Sequence, residues 1–392
     1  MNICTYVIIL NMRKITLLFT LWFLLLSGCT SEPIKSTQVA LDVGFKDIAV
    51  TFVGYTNNEA DYQKYYDLLV TRYTQLGHLY DKYKNYDGLI NLKTLNDTAG
   101  LGPQVVDQEL INLLLSAQTW TEKSKNTFNI TLGAVLNIWH TYREEGKLFN
   151  QETPSSLGNT PSLDALTQAN TCTGWGNIVI DDATNSVEIL NPCTQLDVGG
   201  IGKGYATDLV AKDLKAAGLT TAILNIGDSS ILTIGSKPDG TEWGIGISQP
   251  SRPLLIGSNS VDTLYFPADI AVSTSGDNQN YYAAQDGNIY HHLIDPSTLF
   301  PVQSSLHAVT VTTTLSAGDA EALSKALFIL PYEEASIYLS DLQTSFPNEF
   351  IGALWVFEMG QAPQGSTFID SEGYRLVHSE NLKDKSRLYR AQ

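Results

Sequence analysis

Basic residues are scarce in this chain of 392 residues: 24 Lys and Arg stand against 41 Asp and Glu, a net charge of −17. No arginine run or basic patch breaks that balance, which excludes nucleic acid as a partner, because phosphate backbones are held by clustered cations. Long apolar runs are missing too. The one candidate, residues 15–26, is too short for a comfortable membrane span. No internal repeat or low-complexity tract is visible, which excludes solenoids and arrays. The residues that follow the leader exceed the usual size of a single core, so one large domain or two tightly joined lobes is expected.

The apolar run follows Arg13-Lys14 and ends in Leu26-Ser27-Gly28-Cys29. A basic start, a short apolar core and small residues at the exit mark residues 1–28 as a secretory signal peptide, with Met12 an alternative start. Leu-Ser-Gly-Cys is similar to the bacterial lipobox. Cys29 would then carry lipid, placing the protein at the cell membrane, lipid-anchored on its extracytoplasmic face. Residues 29–45 are polar and without period, and read as a tether. Residues 46–360 form the domain, and 361–392 a peripheral tail.

Cysteine is rare, at four residues. Processing would leave Cys172 and Cys193, which flank a strand, a turn at Asp182-Ala183-Thr184-Asn185 and a second strand. They therefore fall near each other at the open end of a hairpin. An exported location permits a disulfide there; two buried free thiols would look the same.

Apolar residues at helical spacing predict helices over 61–86, 107–124, 317–330 and 332–342. Short β runs are expected over 179–190, 221–224, 230–234, 243–247, 269–273, 290–294 and 307–313. Strands mixed with segregated helices argue an α+β fold.

The most informative stretch is residues 196–208, Leu-Asp-Val-Gly-Gly-Ile-Gly-Lys-Gly-Tyr-Ala-Thr-Asp. An acid and glycines sit where an extended segment turns into a helix, with Lys203 beside them. Glycines admit a ligand to the backbone, and a helix start offers N–H groups and a positive dipole end. That predicts a phosphate or pyrophosphate site. It is neither a Walker A loop, which needs a glycine where Asp197 stands and a Ser or Thr where Gly204 stands, nor a dinucleotide fingerprint.

The same segment resembles the D-[LIV]-G-G-I-[AG]-K-G-Y-A-x-[DE] signature of the ApbE family, the FAD:protein FMN transferases. Thr274-Ser275-Gly276-Asp277 is similar to its T-S-G-D segment, and residues 292–298, His-Leu-Ile-Asp-Pro-Ser-Thr, to its H-[IL]-I-D-P-x-T. Asn225-Ile226-Gly227 and Thr127-Phe128-Asn129-Ile130-Thr131 match two further segments, all in family order. The resemblance implies a single large, T-fold-related α+β domain of mixed sheets with flanking helices. It implies transfer of FMN from FAD to a Ser or Thr hydroxyl of an exported or membrane redox protein, with AMP released and Mg²⁺ required.

By the same resemblance Asp197, Gly199 and Lys203 contact the flavin nucleotide, and Thr274, Ser275 and Gly276 lie along it. Tyr83, Phe128, Asn225, Gly227, Leu293 and Asp295 complete its surroundings. His292 is the base candidate, since an imidazole titrates near neutrality, with Lys203 the second catalytic candidate. The metal would face the carbonyl of Gly200.

Four departures stand out. The family's metal motif A-D-[AG]-L-[AS]-T reads Ala320-Glu321-Ala322-Leu323-Ser324-Lys325 here, and a protonated lysine cannot ligate a metal. Asp319 and Glu321 could rebuild the site, Lys325 could itself bind phosphate, or metal binding and catalysis have decayed. Asp228 replaces a glycine, Asn129 an aspartate, and Asn278-Gln279-Asn280 an aromatic and an arginine. The alternatives are an FAD pyrophosphatase and a non-catalytic flavin-binding lipoprotein, with a generic solute-binding lipoprotein the weakest.

Overall fold

The computed structural model describes residues 33–45, 48–152, 156–227, 229–251 and 260–391. Cys29 and Asp228 lie outside them. In chain order the strands begin with β1 (Ile34–Leu41), β2 (Ala49–Thr56) and the two-residue β3 (Gln104–Val105). β4 (Ile178–Asp181) and β5 (Ser186–Ile189) form one hairpin, β6 (Ala222–Ile226) and β7 (Ser230–Ile234) a second, and β8 (Trp243–Ser248) and β9 (Ser260–Phe266) a third. After them come β10 (Ala271–Gly276), β11 (Tyr281–Ala283), β12 (Ile289–His291) and β13 (Leu306–Thr313). The last are β14 (Ile351–Glu358), β15 (Ile369–Ser371) and β16 (Tyr374–His378).

Nine of these make one sheet, in the order β1-β2-β6-β7-β10-β13-β14-β16-β15, every neighbour antiparallel. Its centre is buried on both faces, and alternation along the strands shows it. Val309, Val311, Ala353 and Trp355 enter the main core under the helices, whereas Ala308, Leu354 and Val356 enter a second core under the β8–β9 hairpin. Helices Glu59–Tyr80, Gly202–Ala216 and Ala317–Ile329 cover the first face. Asn58 and Ser316 cap two of them, each accepting the N–H three residues on. A third core forms where helix Gly133–Glu152 packs Trp139 against Tyr282, Tyr290 and Leu299.

Several expectations are corrected. The first helix ends at Tyr80, because the Asp81 carboxylate accepts the N–H groups of Tyr83 (2.6 Å) and Lys84 (3.2 Å) and turns the chain. Residues 34–41 are no tether: they pair along their whole length with β2 as the first strand of the sheet. Residues 361–392 supply β15 and β16 at one border of the sheet. The tail is pinned at Asp262, which is fully buried and accepts from His378 (2.9 Å) and Ser386 (2.5 Å). Cys172 and Cys193 form a disulfide, with Cα atoms 5.4 Å apart. Among the described residues no helix is long and apolar enough to cross a membrane.

Candidate active site

The segment 196–208 opens on one side of a cleft of about 870 Å³. Asp197 is fixed first. Its N–H bonds Ile130 O (2.8 Å), and its carboxylate accepts the Gly199 N–H (2.8 Å) and the Lys82 ammonium (2.6 Å). Burial opposes the Asp197 charge, but Lys82 outweighs it and holds the carboxyl below its usual range. Lys82 also reaches Asn137 Oδ1 (2.9 Å) and reaches the cleft because the Asp81 turn aims it there. The same turn sets Tyr83 at the rim, 59 % exposed, beside His140 and with the Lys82 ammonium 4.9 Å from its ring centroid.

The helix beginning at Gly202 is not the vacant anion site its sequence suggests. The Gly202 N–H bonds Val198 O (2.7 Å), and the Gly204 N–H donates to Glu321 Oε2 (2.7 Å). Gly204 is small for packing: a Cβ there would lie 2.2 Å from Ala317 O, where two helices cross. The anion at this helix start is therefore Glu321 itself, 1 % exposed. Its Oε1 takes the Lys203 ammonium in a short ion pair and that of Lys325 at 3.4 Å. Burial works to raise the Glu321 carboxyl, yet the two lysines and the Gly204 N–H win and hold it at about 2. Lys325 is pushed down to about 8 by burial, which Glu321 partly offsets.

Four cations thus belong to the cleft, Lys82, Arg143, Lys203 and Lys325, against three carboxylates paired with them, Asp197, Glu321 and Glu144. In a chain of net charge −17 this local surplus of positive charge selects for an anion.

The opposite wall comes from β10 and the loop after β12. Thr274, Ser275 and Gly276 line it; the Thr274 hydroxyl pairs with that of Thr310 (2.8 Å) and the Ser275 hydroxyl with that of Ser324 (2.8 Å). Leu293, Asn225, Gly227 and Phe128 line the cleft as well. His292 is half-buried in the wall, and its Nδ1 has no hydrogen-bond partner among the described residues. Burial first, then His291, Arg143, Lys325 and Lys203, push its pKa well below the usual range, so the ring is neutral near pH 7. His291 is a structural residue: Nδ1 accepts the Leu293 N–H (3.1 Å) and Nε2 donates to Val302 O (2.7 Å).

Two expected residues stand apart. Asp295 is not in the cleft lining; it caps its own turn, accepting the Ser297 N–H (2.8 Å) and hydroxyl. Asp319 accepts from the Trp120 indole (2.6 Å) and does not join Glu321. Asn129 does line the cleft, with its Oδ1 accepting from the Thr131 N–H and hydroxyl. Lys82 and Arg143 escaped the sequence reading; the one signal available was the position of Lys82 next to Tyr83.

The donor set does not fit the divalent cation that the resemblance implies. Among the described residues no three His, Cys, Asp or Glu side chains converge. Three of the acceptor positions of Glu321 are already taken, and Lys325 packs under Gly200, where a Cβ would lie 3.2 Å from its Cδ. A magnesium ion there would meet two ammonium groups instead of oxygens.

A cation-rich cleft, an aromatic rim and a neutral imidazole thus meet on an α+β scaffold. The model of the ApbE family matches residues 48–346, and the chain belongs to that family. It is 31 % identical over 283 residues to a Treponema pallidum protein named FAD:protein FMN transferase, covering 68 % of this chain and 70 % of that one. A Vibrio cholerae protein of the same name is 28 % identical over 64 % of this chain and 70 % of its own length. The fold matches the crystal structure of an ApbE protein from Thermotoga maritima, with TM-score 0.71 at 24 % identity over 90 % of this chain and all of that one.

Proposed function

We propose that this chain transfers FMN from FAD to a Ser or Thr hydroxyl of an exported or membrane redox protein and releases AMP. The observation that carries the reading is the neutral His292 facing a cluster of four cations in one cleft. The cations hold the pyrophosphate and stabilise charge on the departing phosphate, which is the larger part of phosphoryl transfer. Tyr83 offers its face to the flavin ring. His292 accepts the proton of the acceptor hydroxyl as its oxygen bonds the flavin-side phosphorus and the bond to the AMP phosphate breaks. Magnesium forms no part of this reading, for want of fitting ligands.

The proposed setting is the extracytoplasmic face of the membrane, with lipid on Cys29. The Cys172–Cys193 disulfide supports an oxidising compartment. The test incubates the full-length protein with FAD and a Thr-bearing acceptor domain, followed by mass spectrometry. An FMN-sized gain on the acceptor with AMP release is expected. FMN and AMP without a labelled acceptor would make the chain a hydrolase. Intact FAD would make it a flavin-binding protein.

A further inference from the structure

Lys325 stands where the family's metal motif carries a threonine. Its Nζ lies 3.4 Å from both Glu321 Oε1 and the Glu321 carbonyl. Its stem lies against Gly200 and beside Phe128, which also closes on that glycine: a Cβ at Gly200 would come within 2.8 Å of the Phe128 ring. The side chain is 16 % exposed, and the residue lines the cleft. It is thus a cation fixed by packing on one side and by a carboxylate on the other, with its remaining face toward the space a ligand would fill.

Charge matching points the same way. The four cations exceed their partner carboxylates Asp197, Glu321 and Glu144 by one charge, and the pyrophosphate of FAD is an anion. A divalent ion would lack ligands, because Glu321 is committed to Lys203, Lys325 and Gly204, while the Ser324 hydroxyl is engaged with Ser275 and the Glu321 carbonyl.

We infer that Lys325 takes the place of a divalent cation in this protein, so that the pyrophosphate of FAD is bound by lysine ammonium groups without metal. The inference rests on the flavin nucleotide reading and refines it. It makes Lys325 a binding residue and frees the site from competition for magnesium.

The experiment titrates the full-length protein with FAD by flavin fluorescence, once in EDTA and once in excess Mg²⁺. The expected dissociation constants agree within about twofold. Lys325→Met keeps the stem and removes the charge, and is expected to weaken binding in EDTA by roughly ten- to a hundredfold. Tight binding only with Mg²⁺, or unchanged affinity in Lys325→Met, overturns the inference and leaves the nucleotide reading standing. No FAD binding under either condition overturns both. Should Lys325→Met lose its cooperative urea transition, the wild-type comparison decides alone.

Discussion

Replacing Glu321 by Gln is the sharpest probe of how this site is built. The carboxylate is 1 % exposed and is shared by two ammonium groups, so the variant leaves Lys203 and Lys325 without their common counter-ion. Two routes give the cost. The Lys325 pair alone, at 3.4 Å and an effective dielectric near 20, is worth roughly 5 kcal/mol before desolvation is subtracted. A carboxyl held at about 2, against the ordinary 4.5, favours the ionised fold by roughly 3 kcal/mol at neutral pH. Breaking a buried pair from one side commonly costs about 3–5 kcal/mol, in line with both. Urea unfolding of wild type and Glu321→Gln at neutral pH should therefore differ by about 3 kcal/mol with unchanged m-value. The pH dependence has a definite sign. A depressed carboxyl stabilises fully above its unfolded value and loses that contribution as pH falls from 4.5 toward 2. The two proteins should converge across that window. A gap below about 1 kcal/mol at neutral pH, or one that stays constant into acid, would refute the description of Glu321 as the hub of the site.

Four further outcomes are expected. His292→Ala should lower single-turnover FMN transfer by roughly 10²–10⁴-fold while FAD affinity stays within about twofold; equal losses in both would make His292 a binding residue. Because the wild-type ring is already neutral, its transfer rate should stay level from neutral pH down to about 6, and a decline across that interval would contradict the depressed pKa. Reducing Cys172–Cys193 opens a crosslink of sequence separation 21 and should cost about 3 kcal/mol in urea unfolding. Gly204→Ala should destabilise by at least about 1–3 kcal/mol, since its methyl group meets a backbone carbonyl that cannot step aside; near-wild-type stability would show that the helices can separate.

Segment 196–208 does line the cleft, but its helix start is not the vacant anion site read from it. Reading it locally suggested the helix start as the attractor, whereas Glu321, 117 residues further along the chain, satisfies the Gly204 N–H. No local pattern could foretell that. Lys82 was hidden for a similar reason: it enters the cleft through a turn made by Asp81, not through helical periodicity. Hairpins β4–β5 and β6–β7 were legible because turn residues separate their strands. β14 escaped because both its faces are buried, so apolar residues run on without period. β1 escaped for the opposite reason. It is an edge strand with one buried residue in eight, and nothing marks an inward face.

The order of the sheet gives the two chain ends a protective duty. β1 closes one border and β15, behind β16, closes the other. Trimming residues 361–392 would bare β14, whose first seven residues are all buried, and turn the most apolar strand into a sticky margin ready to pair with another molecule. Shortening the other end past residue 41 would likewise uncover β2. The pieces that look most dispensable in the sequence are the hems that keep this sheet from fraying into aggregates.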